Sequence, residues 1–299
     1  MDCVECSPDL LPDLSRLVNT QLITIPPGWK LTEAQVARTI AMASNLWSEH
    51  FPEQSAAFEL ETLCALDHGH LVAAVQWGYP DPQRTRAIDF SASVLFWVIA
   101  EPDNVEGLYL LLETIAGRAR AAGSRRITTT RLSFGVGWLG IPAAWSHVIK
   151  ALQTAGFVAG ARWVILTRSV DIPEVRTPES LASMRTSWQV DANASEWDLR
   201  LLTDSALVGE CSAWGIPPHF SDCTGYSNWV TVEWLGVEPE YQRKGIGSWL
   251  IAEQFRRQAQ RGVKQVILWT ETDNRAFRSL GDALGFLSGP ECWDFQIDL

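Results

Sequence analysis

A short segment, Val237–Leu250, contains a basic turn whose residue types and spacing are suited to holding an anion. Pro239 ends a strand-like run, Gln242–Gly247 form a glycine-containing turn, and a helical pattern begins directly afterwards. The first N–H groups of a helix have no partner within the helix and lie at the positive end of its dipole. Glycine lets the backbone come close to an anion, and Arg243 and Lys244 add positive charge. The segment predicts a pyrophosphate site; an ordinary basic turn is the alternative.

The elements around this turn follow a mixed order of strands and helices. Strand patterns over Leu207–Trp214 and Trp229–Val237 precede the turn, and a helical pattern over Gly247–Gln260 follows it. A buried strand, Gln265–Thr270, and a second helix, Arg275–Leu284, come next. Antiparallel strands followed by strand, helix, strand and helix predict an α/β fold built on a mixed sheet.

The chain contains this arrangement twice. Trp77-Gly78-Tyr79-Pro80 returns 137 residues later as Trp214-Gly215-Ile216-Pro217, and turn, strand and helix signals around it return in the same order. Solenoid repeats have periods of about 20–50 residues, so a repeat of this length is a duplicated domain. The sequence predicts two related domains, residues 1–172 and 187–299.

The pattern Val-x-Pro-x-x-Gln-Arg-x-Gly-Ile-Gly at residues 237–247 resembles the acetyl-CoA pyrophosphate loop of the GNAT N-acetyltransferase superfamily. Asn274 and the later Leu284-Gly285-Phe286 resemble that family's next motif, so the resemblance covers about residues 205–290. It implies two GNAT-like domains in tandem, with acetyl-CoA as the co-substrate of the second.

The resemblance also implies which residues bind acetyl-CoA. The strand backbone at Leu235, Gly236 and Val237 would pair with the pantetheine arm, and Asn274 would bond the arm near the thioester. A helix cap is the alternative role for Asn274, because Asn is common at that position. The pyrophosphate would be held by consecutive residues of the turn and helix start: Gln242, Arg243, Lys244, Gly245, Ile246, Gly247 and Ser248.

Two side chains are candidates for proton transfer. Glu233 lies between Val232 and Trp234, where a carboxylate is poorly suited to a buried strand unless it is paired or catalytic. The resemblance implies that Glu233 is the general base; a solvated carboxylate is the alternative. Many relatives carry a tyrosine acid four residues before the Gly-Phe pair, but this chain has Gly281 there. Tyr226, in a polar loop, is the candidate acid, with water as the alternative.

The first copy lacks the anion-binding loop. Its counterpart, Asp103–Tyr109, is shorter, has no Arg or Lys and lacks the second glycine. Two carboxylates in that position would repel a pyrophosphate. The first domain is therefore predicted not to bind acetyl-CoA there, and to act as a structural partner.

Other motifs do not predict a second chemistry. Gly135–Gly140 matches a dinucleotide-binding pattern, but Ile141–Val170 contain no Asp or Glu to bind a ribose. Cys3 and Cys6 have half of a zinc-site spacing, with no second pair to complete it. No metal site is predicted.

The amino-acid composition limits the classes of partner that the protein is expected to bind. The chain has 299 residues with 24 basic and 35 acidic side chains, a net charge of −11, which argues against a nucleic-acid-binding surface. No run approaches the roughly 20 apolar residues of a membrane span, and the acidic N-terminus does not resemble a signal peptide, so a cytoplasmic location is expected.

The leading hypothesis is direct acetyl transfer, in a ternary complex, to a primary amine of a small molecule by the second domain. The alternatives are a mycothiol-synthase-like acyltransferase and an acyl-CoA-binding pseudoenzyme. A monomer and a homodimer are both open.

Overall fold

The computed structural model describes most of the chain. The described residues are 1–25, 28, 30–40, 58–80, 92–129, 140–171, 175–190, 196–204, 206–215 and 228–299. Packing divides the chain into two compact units. Unit 1 comprises Met1–Trp163 with Pro290–Leu299, and unit 2 comprises Val164–Gly289.

The units depart from the predicted domain ranges because strand pairing, and not the sequence repeat alone, decides which residues pack together. Unit 2 begins at Val164, before the predicted linker. The last ten residues belong to unit 1, where the final strand is antiparallel to a strand of the first copy and Ile297 lies opposite Ile127.

Unit 1 contains the first copy of the repeat. Its helices are α1 (Leu11–Leu22), α2 (residues 33–40), α3 (Val105–Ala121) and α4 (Ser146–Thr154). Its strands are β1 (Asp2–Glu5), β2 (Phe58–Asp67), β3 (His70–Pro80), β4 (Ala92–Ala100), β5 (Arg126–Thr129) and β6 (Ile141–Pro142), followed by β7 (Val158–Ser169). Strands β1 to β4 are antiparallel neighbours, and β4 is parallel to β5.

Unit 2 repeats this arrangement. Its strands are β8 (Arg185–Val190), β9 (Glu196–Leu202), β10 (Leu207–Gly215), β11 (Trp229–Val237) and β12 (Gln265–Glu271), and β13 (Leu287–Asp298) ends the chain. Its helices are α5 (Ile246–Ala259) and α6 (Arg275–Ala283). Strands β8 to β11 are antiparallel, and β11 is parallel to β12. The predicted mixed α/β fold is confirmed.

The strand registers match between the two copies. In unit 1 the described parallel pairing of β4 with β5 runs to Leu95 opposite Thr129, and in unit 2 that of β11 with β12 runs to Val232 opposite Leu268. Directly after this point the register with the preceding strand shifts in each copy, which makes Phe96 in β4 and Glu233 in β11 the bulged residues. A shared bulge at the same point supports duplication of one ancestral domain.

The core of unit 2 lies between its sheet and helix α5. Leu250, Ile251 and Phe255 of that helix are buried against apolar side chains of the strands, such as Val208 and Val230. This packing fixes the start of α5 beside the end of β11, which is where the sequence predicts the anion site.

Candidate functional site

Strands β11 and β12 separate beside the start of α5. Their pairing ends at Val232, whereas β11 continues to Val237 and β12 to Glu271. The register between β11 and β12 is not continued over Trp234–Val237, although these residues still pair with β10 on the other side. An unpaired strand edge of this kind can bind an extended amide-containing chain through its own N–H and C=O groups.

The bulge puts Glu233 at the point where the strands separate. Ser212 lies opposite Trp234 and Ala213 lies opposite Val232, so the register shifts at Glu233. A bulge bends the strand and redirects side chains, and bulges are common beside active sites. Both Glu233 and Trp234 are exposed.

The turn after β11 contains consecutive backbone N–H groups with no acceptor among the described residues. Arg243 and Gly245 adopt left-handed backbone, with φ of 61° and 81°, and α5 begins at Ile246. From Arg243 to Ser248, no backbone N–H donates a hydrogen bond to any residue that the structure describes. Successive N–H groups in a left-handed turn leading into a helix form an anion-binding hollow. A left-handed residue other than glycine is strained, and such strain concentrates at functional sites.

The two cations of the turn differ in their contacts. The Lys244 ammonium donates to the Glu240 carbonyl at 2.8 Å and lies 5.3 Å from the centre of the Tyr241 ring. Arg243 is exposed and forms no ion pair with any residue in the described part of the chain. Gln242 Nε2 donates to the Val237 carbonyl at 2.9 Å, which holds the turn against the end of the strand. Arg243 is the cation available to an anion in this hollow.

Gly247 faces an apolar wall between β11 and α6. A Cβ at this position would lie 3.8–3.9 Å from methyl groups of Leu235, Val237 and Leu280, which is ordinary van der Waals contact. Leu235, Gly236 and Val237, predicted to contact the pantetheine arm, are half-buried here. Leu280 was not singled out from the sequence; its place beside this wall depends on how α6 packs on the sheet.

Asn274 caps helix α6, which begins at Arg275. The Asn274 side-chain oxygen accepts a hydrogen bond from the Phe277 N–H at 3.1 Å, so the capping role left open by the sequence is present. Its amide NH2 group remains the part that could contact a thioester arm. Gly281, at the tyrosine position of the family motif, is buried, and a Cβ there would lie 3.1 Å from Leu166. Tyr226 lies outside the described residues.

The corresponding strand edge in unit 1 is occupied by the protein's own side chains. The Ala100 carbonyl at the end of β4 accepts hydrogen bonds from Gln21 Nε2 of α1 and from His147 Nε2 of α4, both at 2.9 Å. Burial lowers the pKa of His147, which keeps the imidazole neutral at pH 7. In unit 2 the equivalent carbonyl, Val237, accepts only from the neighbouring Gln242 among described residues.

A carboxylate network lies at the end of β4 in unit 1. Glu101 accepts a hydrogen bond from Asn104 at 3.1 Å and lies 3.0 Å from His70 and 3.5 Å from Arg16. Although burial raises the pKa of Glu101, the hydrogen bonds from His70 and Asn104 and the Arg16 charge leave it below its usual value. Glu238 stands at the equivalent position of unit 2, so the two copies differ in the contacts of this carboxylate and not in its presence.

Comparison with known proteins identifies unit 2. The model of the acetyltransferase (GNAT) family matches residues 166–286, which include the bulged strand, the turn, α5 and α6. These residues are a GNAT acetyltransferase domain. The GNAT domain therefore contains every predicted acetyl-CoA contact, from Leu235 to Asn274. No curated protein sequence is significantly similar to the chain.

Solved structures show that the whole chain has the fold of a tandem GNAT protein. A tandem GNAT protein from the clavulanic acid biosynthesis pathway is 13% identical, with a TM-score of 0.68 over 99% of this chain and 98% of that one. A GCN5-related N-acetyltransferase from Sphaerobacter thermophilus is also 13% identical, with a TM-score of 0.64 over 99% and 95%. At 13% identity, this similarity shows a shared fold.

Among the described residues, no helix has the length and apolar character needed to cross a bilayer. The same residues contain no group of three or more His, Cys, Asp or Glu side chains arranged to hold a metal ion.

Proposed function

We propose that the GNAT domain transfers an acetyl group from acetyl-CoA directly to a primary amine of a small molecule. The observation that carries this proposal is the row of N–H groups from Arg243 to Ser248, which have no partner among described residues. They lie at the end of the strand edge that β12 leaves unpaired after Val232. A diphosphate needs such a hollow, and a pantetheine arm needs such an edge.

The chemistry follows from this arrangement. The neutral amine nitrogen attacks the thioester carbonyl carbon, an amide C–N bond forms, the C–S bond breaks and CoA leaves as its thiolate. Glu233, at the bulge, accepts the proton that the amine loses, and backbone N–H groups of the unpaired edge stabilise the oxyanion. The thiolate takes a proton from Tyr226 or from water.

Glu233 is tested by Glu233→Gln, with CoA thiol release measured against a panel of primary amines. Loss of a positioned base reduces kcat by about 10²- to 10⁴-fold, while acetyl-CoA affinity stays the same. Glu291→Gln, at an exposed carboxylate in β13, is the matched control and retains wild-type activity. Equal rates for Glu233→Gln and wild type would remove the base assignment.

The rest of the proposal is tested by the same assay on the wild type. Acetyl-CoA binding without CoA release for any amine would identify an acyl-CoA-binding protein instead of an enzyme. We further propose that unit 1 binds no acetyl-CoA, since Gln21 and His147 donate to the carbonyl at the end of its strand edge and its helix start, Asp103–Tyr109, has no Arg or Lys.

A further inference from the structure

One face of the unit 2 sheet is polar and open. Residues directly opposite one another on neighbouring strands share a face, and the register places two rows side by side across β9, β10 and β11. The rows are Asp198, Ser212 and Trp234, and Arg200, Glu210 and Gly236. None of the six is buried, and Trp234 is 57% exposed.

The matching face of unit 1 is closed. Its two rows are Thr62, Gln76 and Trp97, and Cys64, Ala74 and Ile99. All six are buried, with exposures between 0 and 6%. Gln76 Nε2 donates to the Ile40 carbonyl, and α1 packs on β3 and β4 of the same sheet. The second copy has thus replaced apolar and neutral residues with charged ones on a face that the first copy covers with its leading helices.

Trp234 lies flat on this open face. Three atoms of its indole are within 2.8–3.5 Å of the position that a Cβ on Gly236 would take, so the ring crosses the glycine. The glycine provides the space that lets the indole lie against the sheet. Trp234 directly follows Glu233, so the aromatic surface is adjacent to the candidate base.

The charges around Trp234 favour a cation. Arg200 is 3.5 Å from both Asp198 and Glu210, which leaves one net negative charge in this group. An aromatic face attracts organic cations, and nearby carboxylates strengthen that attraction.

We propose that Trp234 determines acceptor specificity by holding a positively charged group of the acceptor. The inference rests on the proposed function. The reacting amine must be neutral to attack the thioester, so the charge that Trp234 holds is a second one on the same molecule. The acceptor class is a primary amine joined by a short flexible chain to a quaternary or protonated ammonium group.

The test compares two acceptors of the same shape. (4-Aminobutyl)trimethylammonium carries a fixed charge, and 5,5-dimethylhexylamine is its neutral carbon isostere. For the full-length wild type, kcat/KM for the cation exceeds that for the isostere by about five- to thirtyfold, the range of a partly desolvated cation–aromatic contact. Trp234→Leu removes this preference, and Trp234→Phe retains part of it. Leu287→Ala, at another exposed apolar side chain, leaves the preference unchanged.

A binding measurement separates this inference from the proposed function. Calorimetry with (4-aminobutyl)trimethylammonium in the presence of CoA reports acceptor binding whether or not transfer occurs. Binding that weakens in Trp234→Leu, without CoA release from any variant, would support the inference and overturn the proposed function. CoA release with equal kcat/KM for the two acceptors, or a preference unchanged in a folded Trp234→Leu protein, would overturn the inference alone.

Discussion

Arg243 and Lys244 are adjacent and equally charged, yet the structure gives them different surroundings. Lys244 is held by the Glu240 carbonyl and lies near the Tyr241 ring, whereas Arg243 is exposed in left-handed backbone. The sequence predicted a basic turn but could not distinguish the two cations, because their contacts depend on the path of the turn. We therefore assign the larger share of phosphate binding to Arg243.

Arg243→Glu tests this assignment. It replaces a charged hydrogen bond, worth roughly 1.5–3 kcal/mol, with a repulsive carboxylate. Acetyl-CoA affinity should fall by at least about tenfold in calorimetry. Arg261→Glu, an equal charge change at an exposed residue beyond the end of α5, should bind acetyl-CoA like the wild type. If Arg243→Glu binds acetyl-CoA with unchanged affinity, Arg243 does not contribute to diphosphate binding.

At the scale of elements, the sequence predicts most boundaries in unit 2 closely. Strand β11 has the predicted limits, and β10, β12, α5 and α6 each differ by one residue at one or both ends. Hydrophobic periodicity and the glycine and proline positions suffice for these limits. The bulge at Glu233 is different, because it arises from the register between strands and leaves no local pattern.

The residues that are buried on α5 differ from those that its hydrophobic spacing predicts. The four-residue spacing of Ile251, Phe255 and Ala259 predicts one buried face, but Ala259 is exposed and Gln254 and Gln258 are buried. Gln254 Nε2 donates to the Trp197 carbonyl at 3.0 Å, which accounts for its position inside the core. Polar residues placed by one specific hydrogen bond cannot be recognised from hydrophobicity.

The start of α5 gives a prediction in which stability and affinity change in opposite directions. Gly247→Ala adds a methyl group that the protein tolerates, with neighbours at 3.8–3.9 Å, and Ala favours a helix over Gly by about 1 kcal/mol. Thermal melting should therefore show an equal or higher Tm, while calorimetry shows weaker acetyl-CoA binding, since the methyl lies beside the wall for the arm. The control is Gly117→Ala in α3, where an added Cβ has no neighbour within 4 Å. This variant should be at least as stable as the wild type and should bind acetyl-CoA with unchanged affinity. Full affinity in Gly247→Ala would show that acetyl-CoA does not approach this helix start.

At the scale of the whole molecule, two copies of one fold have diverged at the same places. The copies keep the bulge and the register, but in unit 1 Gln21 and His147 donate hydrogen bonds to the carbonyl at the end of β4. The sequence predicted the loss of the loop in the first copy from its missing Arg, Lys and Gly. It could not predict these contacts, because each comes from a distant part of the chain. For the same reason, the sequence could not predict that residues 290–299 belong to unit 1.

This divergence predicts one acetyl-CoA per chain. Calorimetric titration of the full-length protein should give a stoichiometry of one, because in unit 1 Gln21 and His147 already donate to the Ala100 carbonyl at the end of β4 and the following helix start, Asp103–Tyr109, has no Arg or Lys. Arg243→Glu should weaken that single transition, and Gln21→Ala should leave it unchanged. Two acetyl-CoA molecules per chain would show that unit 1 also binds the co-substrate.

The backbone amides of the turn can be observed directly by NMR of the ¹⁵N-labelled full-length protein during titration with acetyl-CoA. We predict that the amide resonances of residues 243–248 shift strongly with acetyl-CoA, and shift much less with acetyl-pantetheine, which has the same arm but no diphosphate. If acetyl-CoA binds and those six resonances do not move, or move equally with both ligands, the turn does not hold the diphosphate.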